Sequence, residues 1–276
     1  MVKILGRPLL LVGCGKMGSS MLGGWLDDGI VAAGVAVVEP IFAGGEHPFR
    51  DNTEVTVYAS ADDLPDMFDP EVIVFAVKPQ QLPDALPSYI KFATAKTVFL
   101  SILAGTEIAF FERHFGRDVA IVRSMPNLPA SIRRGISVIC PNNCVTRRQL
   151  DTCSALLNAI GEVYVNGDEG LLDAVTAVSG SGPAYVFLLI ECLRKAGEAA
   201  GLPSELAARL ALVTVMGSGQ LAIMSNDSPG QLRRDVTSPA GTTEAALKVL
   251  MGENELEELI TRAVEAATNR SRELAK

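Results

Sequence analysis

The chain has 276 residues, of which 48% are hydrophobic and 20% charged, which is typical of a globular protein and excludes a disordered one. Its formal net charge of −8 argues against a nucleic-acid partner, which would require a basic surface. Five scattered cysteines and two histidines give no zinc-binding pattern, so we expect free thiols and no metal site, and no signal peptide is recognisable, so we expect a cytoplasmic location.

The first predicted element is a buried strand, Leu9 to Val12, and the next six residues, GCGKMG, match the GxGxxG pattern. Gly13 permits a tight turn, Gly15 leaves room for a pyrophosphate, and Gly18 allows the following helix to pack closely. That helix, predicted from Lys16 to Asp28, would direct its first N–H groups at the phosphates. The stretch predicts dinucleotide binding, and an ordinary glycine-rich turn is the alternative.

An acidic residue follows the second predicted strand, Gly34 to Val38. Glu39 lies about 20 positions beyond the glycines, where such a residue accepts hydrogen bonds from the adenosine ribose hydroxyls. Its charge would repel a 2′-phosphate, so this position favours NAD. A surface glutamate at a strand end is the alternative, and Arg50 could approach a 2′-phosphate, although nothing in the sequence fixes its direction.

Two further buried strands are predicted to end at the same edge of the sheet. The strand from Val72 to Val77 leads into Lys78-Pro79, where the lysine either binds the nicotinamide-side ribose or is simply solvated. The strand from Val98 to Leu103 leads into Ala104, whose small side chain leaves room for a flat ring. The strand from Val119 to Arg123 leads into residues 124–130, SMPNLPA, a rigid turn.

Residues 1–166 alternate strands and helices, which predicts a Rossmann-like, doubly wound α/β sheet. Additional strands are predicted at Val55 to Tyr58, Ile136 to Cys140 and Val163 to Val165, with helices at Ser60 to Phe68 and Arg147 to Ile160. After the polar link NGDEG at 166–170, only helices are predicted. They are Leu171 to Val178, Gly182 to Ala200, Pro203 to Met224, Ser228 to Asp235, Thr242 to Met251 and Asn254 to Lys276. The predicted domains are therefore residues 1–166 and an all-α dimerisation and substrate domain, 167–276.

Two helical stretches of this second domain, Gly182 to Ile190 and Ala211 to Met216, are apolar on every side. A domain of this size has little interior in which to bury them, so we expect a homodimer with interleaved C-terminal helices. Glycines and a glutamine interrupt the apolar run from Leu210 to Met224, which favours a buried helix over a membrane span.

Two motifs of the helical half place hydroxyl groups and glycines before a helix. Residues 179–185, SGSGPAY, either receive a polar ligand or only begin a helix with proline in its first turn. Residues 236–243, VTSPAGTT, cluster four hydroxyls. The exposed N–H groups of Gly241, Thr242 and Thr243 would form an anion site for a small carboxylate. A helix cap would account for only one of the four hydroxyls, so capping alone does not explain the cluster.

With these motifs the chain resembles the pyrroline-5-carboxylate reductase family over nearly its whole length. The resemblance rests on GCGKMG, on FAVKPQ at 75–80, SILAG at 101–105 and RSMPNLPA at 123–130, and on the two hydroxyl-rich motifs. GxGxxG is common to many dehydrogenases. The MPNxPA, SGSGPAY and TSPxGTT patterns, in this order and spacing, are much more specific.

The resemblance implies an NADPH- or NADH-dependent oxidoreductase that reduces the C=N bond of 1-pyrroline-5-carboxylate to L-proline, the last step of proline biosynthesis. It also implies dimers that often assemble into larger rings. The cofactor-binding residues that it implies are Gly13, Cys14, Gly15, Lys16, Met17, Gly18, Ala76, Val77, Lys78, Pro79, Ala104 and Asn127. The substrate-binding residues that it implies, in a site that two subunits complete, are Ser238, Gly241, Thr242 and Thr243.

The expected chemistry needs orientation of the two reactants rather than a nucleophile or a metal. Thr243, or a water molecule, is the candidate to hydrogen bond the imine nitrogen. Two positions depart from the family pattern. Ala240 stands where many members have glycine, and Glu39 stands where members that favour NADPH have small or polar residues, which leaves the choice between NADH and NADPH open.

Two other functions fit parts of the sequence. A 3-hydroxyacid dehydrogenase of the same two-domain plan would need a lysine base on the first long helix of the second domain, and Lys195 lies on that helix. We expect Lys195 to be solvated, because it is about three turns beyond Gly182. A dinucleotide sensor without catalytic activity is the second alternative, against which the complete TSPAGTT loop argues.

Overall fold

The computed structural model describes residues 5–31, 33–43 and 45–274. Within these ranges, eight strands form one sheet. The strands are β1 (Leu9–Val12), β2 (Val35–Val38), β3 (Val55–Tyr58), β4 (Val72–Phe75), β5 (Val98–Ser101), β6 (Ala120–Met125), β7 (Gly135–Pro141) and β8 (Gly161–Val165). Their order across the sheet is β3-β2-β1-β4-β5-β6-β7-β8, and every neighbouring pair is parallel except β6 and β7.

This strand order is that of a doubly wound sheet. The chain begins in the interior of the sheet at β1, runs outward to β3, and then returns to place β4 on the other side of β1. The direction of winding reverses between β1 and β4, and the carboxyl ends of strands at such a point form the crevice where these sheets bind ligands. The predicted fold class, a Rossmann-like α/β sheet followed by helices, is confirmed.

Helices connect and follow the strands. The α-helices are α1 (Lys16–Asp27), α2 (Pro40–Ala43), α3 (Leu82–Ala85), α4 (Ile108–Phe115), α5 (Arg147–Asn158), α6 (Leu172–Val175), α7 (Gly182–Ala199), α8 (Ser204–Met224), α9 (Pro229–Asp235), α10 (Thr242–Leu250) and α11 (Leu256–Leu274). Short 3₁₀ helices occur at Ala61–Asp63, Pro79–Gln81, Leu86–Phe92, Leu128–Ile132 and Glu169–Leu171, and a π-helix occurs at Thr176–Gly180.

Alternate residues of the central strands enter two hydrophobic cores, one on each face of the sheet. Leu11 of β1 belongs to the core that contains Trp25 of α1, whereas its neighbour Leu10 belongs to the core that contains Phe75 of β4. The buried Trp25 indole also donates Nε1–H to the Leu156 carbonyl oxygen of α5 at 2.8 Å. Because both faces are covered, the central strands are continuously apolar, which is why they were predictable as buried strands.

Several predicted boundaries were wrong. The strand predicted to end at Arg123 continues as β6 to Met125, and β7 runs antiparallel to it. The helix predicted from Ser60 to Phe68 is only the 3₁₀ turn Ala61–Asp63, although Ser60 does cap it by accepting a hydrogen bond from Asp62 N at 3.2 Å. The helix predicted from Leu171 to Val178 consists of α6 followed by the π-helix.

The chain divides into two compact units. The sheet unit comprises the described residues up to Gly180 together with those from Thr268 onward, and the helical unit is Ser181–Ala267. The division lies after the predicted link at 166–170, because Leu172 and the neighbouring Val175 pack into the core that contains Phe75. The last turns of α11 belong to the sheet unit as well. The predicted domain limits, 1–166 and 167–276, stay a prediction.

The helical unit has a small interior. None of the residues of α7 is buried, and α8 buries only Ala207 and Ala211. Large apolar side chains on these two helices are exposed, among them Phe187 at 52% and Met216 at 60%. Two stretches within the described part of the chain, Glu169–Ala199 and Ser204–Met224, are long and apolar enough to cross a membrane, by length and composition only.

Candidate active site

A cavity of about 610 Å³ lies in the sheet unit, where β1, β4, β5 and β6 end. Its walls come from the start of α1, from the segments that directly follow β4 and β5, from the end of β6 with the turn after it, and from the end of the π-helix. The lining residues are Lys16, Met17, Ser20, Ala76, Val77, Pro79, Ile102, Leu103, Ala104, Met125, Pro126, Asn127, Leu128, Ser131 and Gly180. This is the location that the topology of the sheet assigns to a ligand.

The predicted cofactor residues fall into two groups with respect to this cavity. Those that line it are Lys16, Met17, Ala76, Val77, Pro79, Ala104 and Asn127. Those that do not line it are Gly13, Cys14, Gly15, Gly18, Glu39 and Lys78. Gly13, Cys14 and Gly15 form the turn that directly precedes α1, and Gly18 lies in the first turn of α1, so these four remain candidates for the phosphates rather than for the nicotinamide. Lys78 is exposed, and its backbone N–H donates to Gln81 Oε1 at 3.3 Å.

Glycine is suited to each of the three GxGxxG positions for a different geometric reason. Gly13 has a φ of +88°, and a Cβ built on it would lie 2.8 Å from the backbone nitrogen of Val77. A Cβ on Gly18 would lie 2.5 Å from the Gly13 carbonyl oxygen, so α1 could not approach the turn as closely with any other residue. A Cβ on Gly15 would meet no protein atom within 4 Å. The space above Gly15 is therefore open, as a pyrophosphate beside a helix N-terminus requires.

Glu39 lies at the end of β2, and its carboxylate is tied to the glycine-rich turn. Glu39 Oε2 accepts a hydrogen bond from the backbone N–H of Cys14 at 2.9 Å, and Oε1 accepts one from Ile41 at 3.3 Å. Burial raises the pKa of the Cys14 thiol above its usual value, and the nearby Glu39 charge raises that pKa further, while a hydrogen bond with Ser19 opposes both effects. The carboxylate is thus held beside the glycine-rich turn by two backbone N–H groups.

Asn127 organises the turn after β6. Its Oδ1 accepts a hydrogen bond from the backbone N–H of Ile136 in β7 at 2.9 Å, which holds the turn against the neighbouring strand. The Asn127 side chain therefore has a structural partner in addition to its position in the cavity wall.

Sequence reasoning missed several wall residues. Ile102 and Leu103 were predicted to be part of a strand, but β5 ends at Ser101 and they line the cavity instead. Met125 was assigned to a loop but is the last residue of β6. Gly180 belongs to the SGSGPAY motif, yet nothing in the sequence indicated that it would face Met125, which is 55 positions away.

The hydroxyl-rich loop of the helical unit, residues 236–243, has the geometry of a tight turn before α10. Ala240 has a φ of +58°, and its N–H donates to Glu244 Oε2 at 2.8 Å. The N–H of Gly241, which was predicted to be exposed, instead donates to the Ser238 carbonyl oxygen at 3.0 Å. The donors that remain for an anion are the N–H groups of Thr242 and Thr243, the first two residues of α10, because the first turn of a helix lacks internal acceptors.

The four hydroxyl groups of this loop differ in their hydrogen bonding. Thr237 Oγ1 donates to the Arg233 carbonyl oxygen at 2.6 Å, so it completes the end of α9. Within the ranges that the structure describes, the hydroxyls of Ser238, Thr242 and Thr243 have no hydrogen-bond partner. These three hydroxyls are therefore available to a ligand. Lys195 of α7 is exposed, as expected of a solvated lysine.

Comparison with known proteins identifies the family. Residues 169–274 match the family model described as pyrroline-5-carboxylate reductase dimerisation, and residues 9–105 match the one described as NADP oxidoreductase, coenzyme F420-dependent. A pyrroline-5-carboxylate reductase of Pseudomonas aeruginosa is 38% identical over 97% of both chains. The chain belongs to the pyrroline-5-carboxylate reductase family. The predicted family and the predicted enzyme class, an NAD(P)H-dependent oxidoreductase acting on a C=N bond, are thereby confirmed.

Other relatives agree with this assignment. A pyrroline-5-carboxylate reductase of Synechocystis is 45% identical over 75% of this chain and 76% of the relative. The solved structure of a pyrroline-5-carboxylate reductase from Coxiella burnetii is similar with a TM-score of 0.88 and 32% identity, and covers 97% of this chain and 98% of its own. A pyrroline carboxylate reductase structure from Plasmodium falciparum, with NADP bound, is similar with a TM-score of 0.82 and 29% identity. The match covers 98% of this chain and 99% of the Plasmodium chain. The reductase family thus extends over both units.

Proposed function

We propose that the chain reduces 1-pyrroline-5-carboxylate to L-proline with the cofactor held by the sheet unit and the substrate held by the loop 236–243. The observation that carries this proposal is the 610 Å³ cavity at the strand ends, which is lined by residues of the same motifs that relate the chain to the reductase family. The Plasmodium relative binds NADP, and we infer that this chain uses NADPH or NADH.

The cavity and the adjoining glycine-rich turn fit a dinucleotide. The open space above Gly15 would take the pyrophosphate, and the N–H groups at the start of α1 would face it. Ala76 and Ala104 leave room for a planar ring between the ends of β4 and β5. When bound, NAD(P)H supplies a hydride from nicotinamide C4 to the substrate carbon next to nitrogen.

The substrate requires a partner for its carboxylate and one for its nitrogen. The N–H groups of Thr242 and Thr243 form the carboxylate site in this proposal, since they lie at the positive end of the α10 dipole. The hydroxyls of Ser238 and Thr243 are the candidates for the remaining carboxylate oxygen and for the imine nitrogen. A protonated imine needs no nucleophile, and the residues act by orienting it toward the hydride.

We further infer a cytoplasmic homodimer through α7 and α8, with interleaved helices and a site that two subunits complete. The exposed apolar side chains on these helices support it, because a monomer seldom leaves such a large apolar area in water. The match of residues 169–274 to the dimerisation family model supports it too. Assembly of the dimers into a ring is part of the same proposal.

The function is tested by following oxidation of NADH and of NADPH with 1-pyrroline-5-carboxylate, and L-proline as the product. The same preparation is then assayed with 3-hydroxyacids and oxidised cofactor in the reverse direction. We expect cofactor oxidation that depends on the imine and no reaction with 3-hydroxyacids. Cofactor binding without turnover would instead favour a sensor, and turnover of a 3-hydroxyacid would favour the dehydrogenase alternative.

A further inference from the structure

Two residues on one face of β6 contact the two ends of the segment that leads into the helical unit. Arg123 Nη1 lies 2.8 Å from Glu169 Oε1, at the start of the segment 169–180. Met125 packs against Gly180, at its end. Because alternate residues of a strand point to the same face, the two contacts lie on the same side of β6. The segment is therefore held against the strand at both ends.

The first contact is a buried anchor. Only 5% of Arg123 is exposed, and Glu169 Oε1 also accepts a hydrogen bond from the backbone N–H of Ile108 at 2.8 Å. One carboxylate oxygen thus joins β6, the start of α4 and the segment 169–180. Leu172, 1% exposed, adds an apolar contact with the sheet core. These contacts leave the segment little freedom to move relative to β6.

The second contact ends in the wall of the cofactor cavity. The segment closes with the π-helix Thr176–Gly180, a rare form of helix that is frequent at functional sites. Gly180 and Met125 both line the cavity. A Cβ built on Gly180 would lie 2.5 Å from Met125 Cε, whereas the next neighbour, Thr176 Cγ2, would be 3.6 Å away at ordinary contact distance.

The reason for glycine at this position is therefore specific. Gly180 is not among the described glycines with positive φ, so its backbone conformation would accept alanine. Only the terminal methyl of Met125 occupies the place of the missing side chain. Met125 is long and flexible, so a side chain at position 180 would move its end rather than the backbone.

We propose that Gly180 is a positioning residue for hydride transfer, because the space it leaves holds the end of Met125 and so keeps that side chain out of the nicotinamide part of the cavity. The inference rests on the proposed function, which places the nicotinamide in this cavity. A methyl group added at position 180 displaces Met125 into the cavity and shifts the ring relative to the substrate. The proposed function places the cofactor phosphates above Gly15, away from Met125, so the effect is expected on the chemical step.

The test is a double-variant cycle with Gly180→Ala, Met125→Ala and both together. For Gly180→Ala we expect kcat to fall about tenfold or more, since small misplacements of reacting atoms are costly. The KM of the imine should change little. The primary isotope effect on kcat, measured with cofactor deuterated at C4, should increase because hydride transfer becomes more strongly rate-limiting.

In the Met125→Ala background the alanine at 180 has nothing to displace. We therefore expect its effect on kcat to shrink to less than about twofold, which is the signature of coupled residues. Gly167→Ala is the matched control, because a Cβ on Gly167 would meet nothing within 4 Å and this glycine does not line the cavity. Its kcat and isotope effect should equal those of the wild type.

Several outcomes overturn the inference. Unchanged kinetics of folded Gly180→Ala would do so, and so would an equal loss in the presence and absence of Met125. If Gly180→Ala does not fold, the double variant decides, with Met125→Ala as its reference: their kcat values should agree within about twofold, and a larger loss in the double variant rejects the positioning role. If the wild type is active but the effects of Gly180→Ala and Met125→Ala on kcat are independent, only this inference is rejected. If the wild type is inactive, the proposed function is rejected as well.

Discussion

The backbone N–H of Cys14 donates a hydrogen bond to the carboxylate of Glu39, with 2.9 Å between Cys14 N and Glu39 Oε2. This contact holds a negative charge beside the turn that precedes α1. A ribose with free hydroxyls can donate to such a carboxylate, whereas a 2′-phosphate is repelled by it. The relationship therefore bears on the choice between NADH and NADPH.

We expect Glu39→Gln to increase kcat/KM for NADPH relative to kcat/KM for NADH by about tenfold. The amide keeps an acceptor for the Cys14 N–H but removes the charge that repels a 2′-phosphate. The ratio is measured with saturating 1-pyrroline-5-carboxylate at low and high salt. The exposed Asp66→Asn is the control for loss of one surface charge. A ratio that stays at the wild-type value would remove Glu39 from cofactor selection.

The hydroxyls of the loop 236–243 provide a second prediction. Ser238 and Thr243 have free hydroxyls within the described chain, and we expect Ser238→Ala with Thr243→Ala to raise the KM of the imine at least about tenfold while the KM of the cofactor changes little. Thr237→Ala is the matched control, because that hydroxyl already donates to Arg233 O at 2.6 Å. Equal increases in both KM values would contradict the substrate assignment.

Most strands were predictable because both faces of the central sheet are buried, and continuous apolar runs such as Leu9–Val12 have no other simple interpretation. The ends of two strands were not predictable. Residues 76–77 and 102–103 continue the apolar runs of β4 and β5 and line the cavity beyond the strand ends, although the backbone N–H groups of Ala76 and Ile102 still donate to the neighbouring strands. Residues that line a ligand cavity and residues that are buried in a strand are both apolar, so the sequence does not distinguish them.

The direction of β7 could have been predicted from the sequence, whereas the contact between Met125 and Gly180 could not. The connection from β6 to β7 is short and lacks a crossover helix of ordinary length, and a parallel connection needs more residues, so an antiparallel pair could have been predicted. The contact of Met125 with Gly180 depends on the π-helix, which no periodicity in the sequence indicates. Such a contact between distant residues is determined by tertiary packing.

The backbone of Ala240 allows a prediction about stability. Its φ of +58° lies in the left-handed region, which is unfavourable for alanine. Ala240→Gly should therefore increase the free energy of unfolding by about 0.5–1 kcal/mol, after allowance for the greater freedom of glycine in the unfolded chain. In contrast, Ala246→Gly within α10 should decrease it by about 1 kcal/mol. Denaturant unfolding at one protomer concentration measures both, and the same sign for both would contradict the argument.

The thiol of Cys14 should be unreactive although it lies in the glycine-rich turn that precedes α1. Its pKa is raised, chiefly by burial and further by the Glu39 charge, so at pH 8 less of it is thiolate than of an ordinary cysteine. Thiolate is the species that iodoacetamide alkylates. In mass spectrometry of the folded protein we expect the half-buried Cys144 to be labelled before Cys14, and the Cys14 rate to increase steadily above pH 9. Rapid labelling of Cys14 at pH 7 would contradict the raised pKa.

The assembly of the helical unit is tested by placing a charge on its apolar surface. Phe187 of α7 is 52% exposed in the single chain, and a second copy that covers it would exclude a carboxylate at this position. We expect Phe187→Glu to convert the proposed dimer to a species near 29.2 kDa in sedimentation velocity, with loss of activity because two subunits complete the proposed site. Ile90→Glu is the matched control, since Ile90 has a similar exposure of 47% but belongs to the sheet unit. That variant should keep the assembly of the wild type. A wild type that sediments as a monomer at micromolar concentration, or a Phe187→Glu protein that remains dimeric, would show that these helices are not the interface and would leave their apolar surface to another partner.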